Sequence, residues 1–263
     1  LLDQGHRDEA LASYRTAIAY RPDFPVGHFN LGNAFRAQAN LAEAVASYAR
    51  AIALQPDYAE AHYNLGVVLA DQGRPDAAIA SYRTAIGIRP GYAEAHLNLG
   101  ILLQGCDRPD AALACFRAVV AHKPDSAEAH HNLGVLLTDQ GDMDGAVENF
   151  RQALACQPDY AEAHNGLGNA LLNQGQNEAA HEHFRRALAL KPDYAEAWGN
   201  LGSVLTNLGR YREAVESYHK TLALNPGYAE AYNTLAGLFT IQGRFDEAIA
   251  CYRKALALRP DYA

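Results

Sequence analysis

A chain of 263 residues, 49% of them hydrophobic, carries enough apolar material for one large folded domain or two ordinary ones. Its 30 acidic residues against 22 basic ones, a formal net charge of −8, provide no electrostatic footprint for a phosphate backbone and argue against nucleic acid as a partner. It has no run of 18 apolar residues, and its first residues, LLDQGHRDEA, form neither a basic n-region nor an apolar h-region, so no membrane insertion and a cytoplasmic location are expected. Cys106, Cys115, Cys156 and Cys251 show no CxxC spacing and read as reduced thiols packed as small apolar residues.

In chain order, a partial unit over 1–24 is followed by seven ungapped units of 34 residues at 25–58, 59–92, 93–126, 127–160, 161–194, 195–228 and 229–262. The words themselves return: PDYAEAHYNLG from Pro56, PDYAEAHNGLG from Pro158, PDYAEAWGNLG from Pro192. A fixed period of this length predicts one array, 1–263, of stacked supersecondary units. With residues numbered 1 to 34 inside each unit, Asp at 33 and Glu at 2 of the next unit (Asp57 and Glu60, Asp159 and Glu162, Asp193 and Glu196) read as a capping box opening a helix. Gly at 15 (Gly73, Gly141, Gly175, Gly209, Gly243) ends that helix, and a second apolar-periodic segment runs to Pro at 32. Each unit is therefore expected to be a helical hairpin.

Bulky and small residues alternate just as regularly. Leu at 7 and an aromatic at 24 supply volume, while Gly at 8 and Ala at 20 allow two backbones to approach closely. Together with His or Trp at 4, Ala at 27 and Pro at 32, this pattern resembles the tetratricopeptide repeat over residues 1–262. Ala39 and Asp107 depart from it at the hairpin Gly, and Val119 departs at position 27. The resemblance implies an all-α, right-handed superhelical solenoid whose first helices line a concave wall.

On the first helix, positions 2, 6, 9 and 13 form the stripe left over from packing, polar and mildly acidic, as in Glu60, Asn64, Val67 and Asp71. Position 6 is Asn in five units: Asn30, Asn64, Asn98, Asn132 and Asn200. An amide side chain carries both a donor and an acceptor, so a column of them can hold an extended peptide by its backbone. The column resembles the asparagine ladder in the repeat domains of O-linked N-acetylglucosamine transferases, whose superhelix this array most closely resembles in flavour. Gly166 and Thr234 break it, with Asn165 and Asn233 one residue earlier. The candidate groove residues are these five asparagines with Asn169, Asn173, Asp71 and Asp139. The family's clamp for carboxylate tails needs Lys or Arg at 2, 5 and 6, and position 2 is Glu in six units.

Five histidines at position 4 (His28, His62, His96, His130, His164) read as packing residues rather than metal ligands, because neighbouring helices stack roughly 8–10 Å apart. His181 and His183 point to different sides of a helix. With no GxSxG, HExxH or P-loop present, no catalytic residue, metal or cofactor is nominated. The expected function is a non-catalytic scaffold binding a polypeptide or protein partner in the concave groove. One alternative is the substrate-recruiting segment of a larger glycosyltransferase; another is a structural array that assembles through its uncapped ends. Since the first unit begins at position 11 and no polar capping helix follows the last, the sequence reads as part of a longer array. On that reading Leu1, Leu2, Ala17, Ile18, Leu238, Tyr252 and Leu256 are less covered than their counterparts and promote self-association.

Overall fold

The computed structural model describes residues 4–260, which form fifteen helices and, among the described residues, no strand. After α1 (Gln4–Tyr20) come seven hairpins: α2 (Pro25–Ala37) with α3 (Leu41–Leu54), α4 (Ala59–Asp71) with α5 (Pro75–Ile88), α6 (Ala93–Gly105) with α7 (Pro109–His122), α8 (Ala127–Asp139) with α9 (Met143–Cys156), α10 (Ala161–Asn173) with α11 (Asn177–Leu190), α12 (Ala195–Asn207) with α13 (Tyr211–Leu224), and α14 (Ala229–Ile241) with α15 (Phe245–Leu258). Each hairpin lies inside one 34-residue period. The protein is all-α.

The chain divides into two compact units, Leu1–Ala129 and His130–Ala263, the division falling inside α8. In the first, α2 packs on α3, α3 on α4, α4 on α5, α5 on α6 and α6 on α7, and the first helices α2, α4 and α6 also touch in succession. In the second, the same order runs from α9 to α15, with α10 touching α12. Leu1, Leu2 and the last three residues lie outside the described residues.

The hairpin turns show why position 15 favours glycine. At Gly73 φ is +68°, and the next N–H, of Arg74, reaches back to the Leu69 carbonyl at 2.9 Å, the Schellman closure of a helix end. Ala39 (φ +59°) and Asp107 (φ +56°) adopt the same left-handed conformation without being glycine, with Asn40 N–H on the Phe35 carbonyl at 2.9 Å and Arg108 N–H on that of Leu103 at 3.0 Å. The turn is imposed by the packing of the two helices it joins.

The capping box is not formed. The N-cap of α4, α6, α10, α12 and α14 is the Tyr at position 34, with no side-chain cap, so Asp at 33 stands one residue too early. Glu at 2 turns instead to a cation at 31, some thirty residues on. Arg89 bonds Glu60, Lys191 bonds Glu162 at 3.0 Å and Arg259 bonds Glu230 at 2.6 Å. A side-chain cap does form at Asp142, which accepts Gly145 N–H at 3.0 Å, and Ser126 accepts Ala129 N–H at 3.3 Å.

Inside, Ala at 20 is 0–2% exposed throughout, and the ring at 24 is 0–3% exposed from Tyr48 to Tyr218. A Cβ built on Gly100 would stand 2.6 Å from the Phe116 ring, so the position-8 glycines admit the aromatic of the facing helix. Position 27 holds a second exception beside Val119: Thr221, fully buried, whose hydroxyl donates to the Ser217 carbonyl at 3.1 Å. Tyr252 and Leu256 are exposed as expected, and Ala17 and Ile18 are half-buried. Leu238, expected to be uncovered, is 1% exposed, because α15 packs on α14 and closes over it.

Candidate binding face of the first helices

Because α2, α4 and α6 lie side by side, Asn30, Asn64 and Asn98 stand on three consecutive helices of the first unit, all half-buried, with Asp71 exposed at the end of α4. The amides of Asn64 and Asn98 tie one repeat to the one before. Asn64 Nδ2 donates to Asn33 Oδ1 at 2.9 Å, an oxygen that also accepts the Tyr48 hydroxyl at 2.8 Å. Asn98 Nδ2 donates to the Tyr63 hydroxyl at 3.1 Å. In the second unit Asn200 Nδ2 donates to Asn165 Oδ1 at 3.0 Å, and Asn165, 4% exposed, donates to Tyr194 and Glu196 at 3.3 and 3.1 Å. The amides of Asn64 and Asn200 therefore spend one N–H backwards and retain a carbonyl oxygen and the other N–H, while Asn98 also bonds the Tyr82 hydroxyl.

The remaining nominated residues fall into place unevenly. Asn132 is half-buried beside His131, and Asn169 is half-buried on α10, whereas Asn173 and Asp139 are exposed at helix ends. The gap in the column at Gly166 is steric: a Cβ there would lie 2.5 Å from the Phe150 ring of the preceding repeat. Asn33, Tyr63 and Asn165, which receive the amides, were not nominated from the sequence. Their signal was the offset of Asn165 by one residue; their role depends on which helices are neighbours.

Position 5 carries a wedge. Phe29, Tyr63 and His131 each sit between the ring at 24 and the ring at 34 of their own repeat, with centroid separations of 5.8–5.9 Å to the former and 5.0 Å to the latter. Burial pushes the His131 imidazole below its ordinary range. Burial raises Tyr82 and Tyr92 to about 12, so these phenols stay protonated. The carboxyl of Glu60 is held low by the Arg89 bond and that of Glu162 by Lys191, which removes part of the acidity expected of the stripe.

Position 4 does more than pack. His28, His62, His96 and His164 place Nε2 2.9–3.0 Å from the carbonyl of the Pro six residues earlier, and Trp198 Nε1 donates to Pro192 at 2.9 Å. This ring N–H closes the loop between repeats. With its Nε2 proton committed, His164 accepts at Nδ1 from His183 Nδ1, 3.0 Å away. His181 instead accepts from Arg210 at 3.3 Å, so the two histidines of the HEH sequence serve different neighbours. Among the described residues, no group of three or more His, Cys, Asp or Glu is placed to hold a metal ion.

Family models described as tetratricopeptide repeat match residues 29–93, 69–134 and 193–261, and one described as TPR repeat matches 1–38, 135–175 and 168–209. The chain belongs to the tetratricopeptide repeat family, whose arrays are protein-interaction scaffolds. Among solved structures it is similar to MamA, 29% identical over 62% of this chain and 95% of that one, with a TM-score of 0.56. It is also similar to YrrB, described as a TPR protein with an unusual peptide-binding site (23% identity, 72% and 97% covered, TM-score 0.64), and to pilF of Pseudomonas aeruginosa (21%, 77% and 92%, 0.68). The last two show the fold alone. No curated protein sequence matches the chain. No helix among the described residues is long and apolar enough to cross a membrane.

Proposed function

We propose that the face formed by the first helices is a non-catalytic binding surface for an extended polypeptide, gripped through its backbone. The observation that carries this reading is the orientation of the position-6 amides. Their backward bonds fix the side chains, and those of Asn64 and Asn200 keep a carbonyl oxygen and an N–H, the pair a peptide bond requires. Asp71 and Asp139, with Glu94, Glu128 and Glu196, are exposed acids of the stripe, and they favour neutral or basic ligands over acidic ones. The described cysteines are free thiols, consistent with a cytoplasmic setting.

Replacing Asn30, Asn64 and Asn98 together by Ala tests this. Lost inter-repeat bonds lower stability by about 0.5–1.5 kcal/mol each, so the variant is first checked by thermal melting. Its affinity for fluorescein-labelled twelve-residue peptides of basic, neutral and acidic composition is then measured at low salt. The expected result is binding of basic and neutral peptides, weakened about tenfold or more in the variant. Unchanged affinity, or preferred binding of the acidic peptide by the parent, would overturn the reading.

A further inference from the structure

The second unit carries a cleft of about 590 Å³ between α11 and α13, floored by α12. Its size suits a large side chain and its flanking backbone. Leu188, Leu201 and Leu205, 7%, 7% and 2% exposed, form its base with Trp198, the chain's single tryptophan. The polar atoms of the floor are already engaged: Trp198 Nε1–H donates to the Pro192 carbonyl, and the Ser217 hydroxyl donates to the Glu213 carbonyl at 2.9 Å. What the floor presents to an incoming group is carbon.

The rim is charged, and its charges do not cancel. Arg210 and Glu213 close on each other through two bonds of 2.7 and 2.6 Å, and Arg210 gives a third N–H to neutral His181. Arg185 and Lys220 remain on opposite walls, on α11 and α13, with no ion pair among the described residues; Glu216 is the one rim acid outside the Arg210 pair. A rim that leaves two cations against one carboxylate, around an apolar floor, selects an apolar group flanked by negative charge.

We propose that this cleft is a second binding site, which takes an aromatic or aliphatic side chain of an acidic peptide segment, its carboxylates meeting Arg185 and Lys220. Its preference is opposite in charge to that of the first-helix face, so the array discriminates two classes of polypeptide on two surfaces.

Trp198 reports directly on occupancy. The parent protein is titrated with the acetylated, amidated hexapeptides EELFEE, EEGGEE and KKLFKK, followed by selective excitation of Trp198 and, in parallel, by calorimetry. Saturable binding of EELFEE alone is expected. The double variant Arg185→Glu with Lys220→Glu, both exposed and unpaired, is expected to weaken it about tenfold or more while the melting temperature stays unchanged. The Asn30, Asn64 and Asn98 alanine variant is expected to bind EELFEE as the parent does. No saturable binding by either readout, equal binding of KKLFKK or EEGGEE, or indifference to the charge reversal would overturn the proposal. Loss of binding in the asparagine variant alone would place the ligand on the other face and overturn it as well.

Discussion

Gly87 and Gly168 both lie in helices, yet replacing each by Ala is expected to act in opposite directions. No atom lies within 4 Å of the Cβ that Ala would add at 87, in α5, where most other repeats carry Ala. The gain is the helix propensity, about 0.5–1 kcal/mol. At 168 the same Cβ meets the Phe184 ring at 2.7 Å, and that ring is 0% exposed and has nowhere to move. Overpacking of about 1–3 kcal/mol then exceeds the propensity gain. Urea midpoints should rise for Gly87→Ala and fall for Gly168→Ala; a rise for both would mean that the facing helices are not in close contact there. The sequence already showed which glycines recur, but the recurrence at position 8 acquired its cause only when the ring at 24 was found against it.

Partly buried histidines set how the helices respond to pH. His131, His164, His181 and His183 all titrate below the ordinary 6.5, in each case first because burial disfavours the charged ring. The unfolded chain therefore binds more protons than the folded one just below that value. Their contribution is fully present above about pH 6.5 and is lost as pH falls through the lowered folded values. His131 faces the rings of Phe150 and Tyr160, with the amide of Asn132 and the carboxylate of Glu162 as its polar neighbours. Since Phe29 fills the same wedge in the first full repeat, His131→Phe is expected to leave the melting temperature at about pH 7.5 nearly unchanged and to flatten its fall towards about pH 5. An unaltered acid limb would show that His131 takes up its proton without loss of packing. Position 4 had looked like a packing residue only, because its bond to a proline carbonyl joins one repeat to the next and leaves no trace in local spacing.

At the scale of the molecule, α15 presents a face that the other second helices bury. Ile249, Tyr252 and Leu256 are 48%, 38% and 48% exposed, whereas Val215, Tyr218 and Leu222 at the same repeat positions are 8%, 3% and 9% exposed beneath the next hairpin. The expectation from this exposed face is association with a second copy of the chain, read as an apparent mass in solution that rises with concentration. A polar-faced helix appended after Ala263 should lower that association and raise the melting temperature. If the extended protein associates as strongly, the contact lies elsewhere. The number and order of the helices were determined by the sequence alone, since period, turn residues and prolines are signals carried by neighbouring residues, and so was the shared register of the asparagines, whereas the starts of the first helices fall one residue later than the Asp at 33 suggested. Three features were decided by tertiary structure: Glu60 turning to Arg89 instead of capping its helix, the Asn64 amide spending an N–H on Asn33, and the cleft opening over Trp198. Each depends on residues some thirty positions apart meeting at one point, and only the packing of helices within and between repeats sets those distances.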